Sequence, residues 1–208
     1  LCSRLEGIPL AIELAAANMG QLSLDEMIEQ SRKRLKWLSG GMRDLPERHA
    51  TLRKTIEWSY SLLNENEQKF FKCLGLFAGE FTRDAAQKII DKEFIGGISI
   101  EDALVSITNK SLLKCVYSEN DKEFYYMMLE TIREYAEELL KNSSIIDEIE
   151  KRYVNYYLNL VEYAEKEYSG PNQYLWLRKI ERTYLNIYAA LGISMFKEDI
   201  DTEIRMAG

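Results

Sequence analysis

Apolar positions recur at three- and four-residue steps along most of this chain, the spacing that lines one face of an α-helix. Pro9 follows Gly7-Ile8 and opens the run LAIELAAANM, and proline suits a first helical turn, where its missing N–H had no partner. Gly20 supplies a stop. That helix is apolar on every side except Glu13 and Asn18, which predicts burial all round. A second helix is announced by Ser23 and Glu26 as a capping box, with Leu22 and Met27 as a hydrophobic staple. Its apolar face is Met27, Ile28, Leu35 and Leu38, and Gly40-Gly41 ends it.

A third helix is predicted from Glu47 to about residue 63, with Leu52, Ile56, Tyr60 and Leu63 on one stripe. Asn64-Glu65-Asn66-Glu67 restarts the helix before Phe70, Phe71, Leu74 and Phe77. Thr82 caps a short helix to about residue 90, and Gly96-Gly97 breaks the chain. Ser99 to Asp102 reads as another capping box, opening a helix through Asn109. The period then changes. SLLKCVY and EFYYMM are rich in β-formers and flank a polar loop, the pattern of a hairpin. Helical spacing returns with Ile132, Tyr135, Ala136, Leu139 and Leu140, completing the element order of a winged helix with one extra helix after the wing. Two long helices follow, one striped by Ile146, Ile149, Tyr153, Tyr156, Leu160 and Tyr163, the other by Trp176, Ile180, Tyr184, Ile187 and Leu191. The short turn at Gly170-Pro171 makes them an antiparallel hairpin, as at the opening of an α-solenoid. The fold class is therefore mainly α: a helical bundle, a winged-helix module with one β-hairpin, and a long helical hairpin.

Composition narrows the function classes. The chain has 208 residues, 46% apolar and 29% charged, an ordinary globular balance. Its net charge of −7 disfavours non-specific binding to nucleic acid or anionic membrane. The longest apolar stretch is interrupted by Glu13 and is too short to span a bilayer, and with no charged n-region before an apolar h-region a signal peptide is not expected. Leu1 and the closing IRMAG read as cuts through a longer chain. Cys2, Cys73 and Cys115 are far apart and set among apolar residues, which predicts buried free thiols in a reducing, cytoplasmic compartment. His49 is the one histidine, so neither a zinc site nor Cys-His catalysis is supported. No Ser-His-Asp or paired-acid constellation is visible, and no enzyme activity is expected of this segment.

Four segments, in order, resemble one family. LEGIPLAIELAA (residues 5–16) resembles the GxPL segment of the signal-transduction NTPases with numerous domains, the class that includes the NB-ARC proteins. RHATLRKTIEWSYSLLNENEQKFFKCLGLFAGEFT (48–82) resembles the linker helix and first winged-helix elements of the bacterial regulator ATPases in that class. YYMMLETIREYAEELL (125–140) is similar to their wing and following helix, and GPNQYLWLRKIERTYLNIYAAL to the stretch leading into their helical repeats. The resemblance implies three parts: residues 1–45 from the NTPase helical domain, 46–142 as linker helix and winged helix, and 143–208 as a hairpin leading into tetratricopeptide-like repeats. It also implies ATP or ADP bound by a P-loop domain upstream in the parent protein, and a relay from nucleotide state to a repeat sensor that meets a protein or small-molecule inducer. No GxxxxGK[ST] occurs here, so no cofactor is expected within this segment.

Residue by residue, the resemblance carries over little. Gly7 and Pro9 would form the edge of the nucleotide pocket, glycine allowing close backbone approach and proline offering a flat apolar surface; a plain helix start explains them as well. Many relatives place a Met-His-Asp motif where this chain has Leu129-Glu130-Thr131. Glu130 would repel a phosphate, which leaves Arg133 as the candidate group, or Glu130 as a capping or solvated residue. Residues 40–46 are a candidate hinge. Two other functions compete. Sequence-specific DNA binding would use the helix Ile100–Asn109, but that helix carries Glu101 and Asp102 and no basic residue before Lys110. A protein-interaction scaffold would use the tyrosines of the last hairpin (Tyr153, Tyr156, Tyr157, Tyr163, Tyr168, Tyr174, Tyr184 and Tyr188), which equally suit packing against further repeats.

Overall fold

The computed structural model describes residues 9–17, 47–167, 170, 173–197, 199, 202 and 205. Gly7, Cys2, the helix expected from Ser23, the hinge expected at 40–46, Tyr168 and Pro171 lie outside them. Among the described residues the helices are α1 (Pro9–Ala17), α2 (Glu47–Ser61), α3 (Glu65–Leu74), α4 (Arg83–Ile89), α5 (Ile100–Asn109), α6 (Glu130–Lys141), α7 (Ile146–Glu167) and α8 (Gln173–Phe196). The strands are β1 (Phe81–Thr82), β2 (Lys114–Ser118) and β3 (Glu123–Met127). None of the described helices is long and apolar enough to cross a membrane.

The stretch from α3 to β3 is a winged helix: three helices with a three-stranded antiparallel sheet in the order β1-β3-β2. The hairpin pairs Lys114 with Met127 and Ser118 with Glu123. A third strand joins it where only a hairpin was expected, with Phe81 opposite Tyr126 and Thr82 opposite Tyr125. Only two residues long, β1 exists because the wing offers β3's free side to it.

Local signals fixed the helix starts. Asn64 accepts from Asn66 N and Glu67 N at 3.0 and 2.9 Å, and Glu67 Oε2 accepts from Asn64 N at 2.8 Å, a complete capping box. Thr82 Oγ1 accepts from Ala85 N at 3.2 Å. The box expected at Ser99 does not form: Ser99 makes no side-chain cap bond. Asp102 is one methylene shorter than the glutamate that reaches back in such boxes, and Glu101 is drawn to Arg83 at 3.2 Å. The glycine break is real: Gly96 has φ +70°, and a Cβ there would lie 2.1 Å from Asn66 Oδ1.

One core runs through the module. Phe70, Phe71, Leu74, Phe77 and Phe81 are buried with Ile89, Leu104, Ile107, Ile132 and Ala136. Each such side chain contributes roughly 1.5–3 kcal/mol by leaving water. Phe77 stacks on Phe81 with centroids 4.1 Å apart and meets Tyr153 of α7 edge-on at 5.7 Å, so the aromatic core extends into the long hairpin. Where α3 ends against α6, a Cβ on Gly75 would lie 2.5 Å from the backbone nitrogen of Glu137. The burial expected all round α1 is confined to one face: Ala11 and Leu14 are buried against a neighbourhood dominated by α2, while Pro9, Glu13 and Ala16 are exposed. Cys73 is buried as expected, but Cys115 is exposed, because β2 is an edge strand that shows both faces to solvent along most of its length.

A buried charge pair locks the helices of the module together. Lys110 Nζ donates to both Glu67 oxygens at 2.9 Å, Ser106 Oγ donates to the same carboxylate, and both charged side chains are about nine-tenths buried. Burial alone would raise the Glu67 pKa, yet the bonds from Ser106, Lys110 and the Asn64 backbone hold it below its usual range.

Replacing Lys110 by methionine should therefore cost about 3–5 kcal/mol in urea unfolding, since it strands a buried carboxylate. The Glu67 contribution is full above the ordinary value of 4.5 and is lost as pH falls through the depressed folded value, so the gap between wild type and Lys110→Met should narrow below pH 4.5. Burial pushes the Cys73 thiol up to about 12. In a Cys2→Ser background a thiol reagent at mildly alkaline pH should modify Cys115 in the native state and Cys73 only on unfolding; equal rates would contradict the packing of α3.

Candidate functional site

Three places carry polar groups that could do more than hold the fold: the first turn of α6, the outward face of α5, and the contact between α8 and the wing. At the first, Leu129 is the N-cap of α6 and makes no side-chain cap bond. Glu130 Oε1 accepts from Arg133 Nη2 at 2.7 Å, Glu130 Oε2 from Arg133 Nε at 3.2 Å, and Glu137 Oε2 from Arg133 Nη1 at 2.9 Å. The hydrogen bond from Arg133 holds the Glu130 carboxyl below its usual range, and the bond to Glu130 in turn raises the Arg133 pKa. Beside this turn a groove of about 160 Å³ separates α2 from α6, lined by Leu52, Arg53, Ile56, Thr131, Glu134 and Tyr135 among others. Arg53 is also engaged, by Glu57 at 3.2 Å and Glu138 at 2.8 Å. The structure thus joins Glu130 to Arg133, while Pro9 stands exposed at the start of α1 and does not line the groove. In this structure the guanidinium groups at and beside this turn, Arg133 and Arg53, are both paired with carboxylates.

On α5 the exposed positions are Glu101, Asp102, Val105 and Asn109. Lys110, the next basic residue along the chain, points inward to Glu67 and is 8% exposed. An open groove of about 750 Å³ lies between α4, α5 and the hairpin, with Arg83, Glu101, Val105, Lys122 and Phe124 on its walls. Its charges are mixed, and Arg83 is paired with Glu101.

At the third place, α8 fastens onto the winged helix. Asn186 is fully buried; its Oδ1 accepts from Gly79 N at 3.1 Å and from the Tyr153 hydroxyl at 3.0 Å, and its Nδ2 donates to the Glu80 carbonyl at 2.7 Å. Arg182 donates to Glu80 Oε2 at 3.0 Å and to Ser118 Oγ at 3.3 Å, pairs with Asp121 at 3.3 Å, and lies 4.4 Å over the Tyr125 ring. Arg178 pairs with the other Asp121 oxygen at 3.5 Å. The loop between β2 and β3 is therefore held against α8.

Of the stripe expected on α8, Trp176, Ile180, Ile187 and Leu191 pack against the core and Tyr184 does not; the contact with the wing was missed because the fully buried line of the helix lies beside that stripe and carries polar residues. The buried positions are Thr183, Asn186, Ala190 and Ser194, while Tyr184 is exposed. Small side chains let two long helices approach closely, and the buried polar atoms find fixed partners. The one signal available was Asn186 itself, a polar residue amid an apolar run. Of the tyrosines considered for docking, Tyr153 and Tyr157 are buried and Tyr156 is half-buried; Tyr163, Tyr174, Tyr184 and Tyr188 are exposed.

Over 207 residues, all of this chain, the sequence is 33% identical to a Mycobacterium tuberculosis protein named "Putative HTH-type transcriptional regulator" and equally so to its Mycobacterium bovis namesake. The chain spans only 23% of the length of these relatives. A stretch of 154 residues is 32% identical to an uncharacterized Mycobacterium tuberculosis protein, covering 74% of this chain and 39% of that one. No protein-family model matches the chain.

Replacing Asn186 by alanine should cost about 2–4 kcal/mol, since it leaves buried donors and an acceptor unmade. Replacing the exposed Glu130 should change stability by less than about 1 kcal/mol. Chemical denaturation of the two variants side by side checks the ranking, and an Asn186→Ala variant as stable as wild type would refute the role given to that side chain.

Proposed function

We propose that this chain is the regulatory relay of a nucleotide-operated bacterial transcriptional regulator, coupling an upstream ATP- or ADP-binding P-loop domain to helical repeats that sense an inducer. The observation that carries this reading is the inward-turned Lys110: the helix a winged-helix protein would lay in the major groove shows acidic side chains outward and buries the lysine at its end. Phosphate contacts need exposed Lys or Arg, so the module serves here as a packing unit between its neighbours. Regulatory relatives matching the full chain support the setting. In this reading Gly7 and Pro9 lie at the edge of the nucleotide pocket, and Glu130 and Arg133 form part of its cover without binding phosphate. The outward apolar face of α8, with Tyr184, Leu185, Tyr188 and Phe196, receives the following repeats. The parent acts in the cytoplasm.

A second reading, DNA binding by this winged helix, is favoured by the relatives' names alone, and a chain spanning 23% of their length leaves ample room for a DNA-binding element elsewhere in them.

Scattering from the parent protein with ADP and with an ATP analogue should show two domain arrangements; identical profiles would sink the relay. The chain itself should not shift duplex DNA at near-physiological salt, and a salt-sensitive shift would move the assignment to the second reading.

A further inference from the structure

The contact between α8 and the wing has features of a device that opens. Asn186 is fully enclosed, and its three bonds reach only the turn before β1 and α7. The wing loop itself is held from α8 through two arginines: Arg178 and Arg182 converge on Asp121, whose side chain is 13% exposed. Inside the loop, Asp121 Oδ2 also accepts from Ser118 Oγ at 2.7 Å, so Asp121 both closes the turn and receives the arginines. Arg182 spans two segments at once, because its other nitrogen reaches Glu80. These are charge-assisted bonds at the edge of the contact, where Arg182 keeps 29% of its side chain exposed, so salt screens them in part.

We propose that Arg178 and Arg182 form a releasable clamp on the wing, through which displacement of the C-terminal hairpin reaches the sheet of the winged helix. The clamp rests on the relay reading for its purpose, though not for its existence. With α8 in place, the wing tip is tied down and unavailable to outside partners. When α8 shifts, Asp121 and Glu80 lose their cations together, so the wing and the strand β1 beside it loosen in one event. Asn186 stays with the turn at Gly79 and limits how far the hairpin departs.

Amide hydrogen exchange on the full 208-residue chain tests this. Arg182→Ala should speed exchange at residues 119–123 and 80–82 by about tenfold, leaving Gly79, which Asn186 holds, and α3 and α5 unchanged. Arg182→Lys should recover part of the protection, since the charge remains but the fork is lost. In the wild type, raising salt to about 0.5 M should accelerate the same amides, and only when Arg178 and Arg182 are both replaced by alanine should it have no further effect. Wing exchange indifferent to both the substitution and salt would overturn the clamp, as would acceleration spread evenly over the molecule. A parent protein that ignores nucleotide would remove the relay and leave these exchange results standing, so the two ideas fail separately.

Discussion

Glu67 is the carboxylate around which the winged helix closes. It completes the cap of α3 through Asn64, accepts from Ser106 in the middle of α5, and neutralises Lys110 at that helix's end. A buried ion pair of this kind is a poor source of net stability but a strict specifier of geometry, since either partner alone would be an uncompensated charge in a dry interior. The start of one helix is thereby registered against the end of another. The same pairing turns the lysine at the end of α5 inward, so a folding constraint also takes a cation away from that helix's outer face.

From that fixed module the long hairpin is attached by two different means. The Phe77, Phe81 and Tyr153 rings continue the apolar core into α7. On the other side, α8 makes its attachment with polar groups: Asn186 to backbone, Arg182 and Arg178 to carboxylates. Apolar burial is indifferent to small changes of angle, whereas hydrogen bonds of fixed length are not. The hairpin is consequently held by α7 and aligned by α8.

How far all this was readable before folding depends on the range of the interactions. Caps at Asn64 and Thr82 and the stripe through Phe70, Phe71 and Leu74 involve neighbours a few residues away, and they stand where the pattern placed them. The Glu130–Arg133–Glu137 cluster follows the three- and four-residue steps of a helix and was equally legible. By contrast β1 is a two-residue strand defined by residues more than forty positions later, and Asn186 finds its partners at Gly79 and Glu80 over a hundred positions earlier. Cys115 looked buried because hydrophobic neighbours were counted without knowing that β2 is an edge. In α8 the expected stripe packs against the core at Trp176, Ile180, Ile187 and Leu191, while the fully buried line beside it, Thr183, Asn186, Ala190 and Ser194, carries no apolar signal beyond Ala190.

Gly75 carries a consequence for how the molecule can vary. With 2.5 Å between its would-be Cβ and the Glu137 nitrogen, the end of α3 and the middle of α6 touch backbone to backbone. Even a single methyl group at position 75 would have to push the two helices apart, because the atoms it meets are backbone and cannot turn aside as a side chain would. The spacing of the two helices is thus set by a group that is not there.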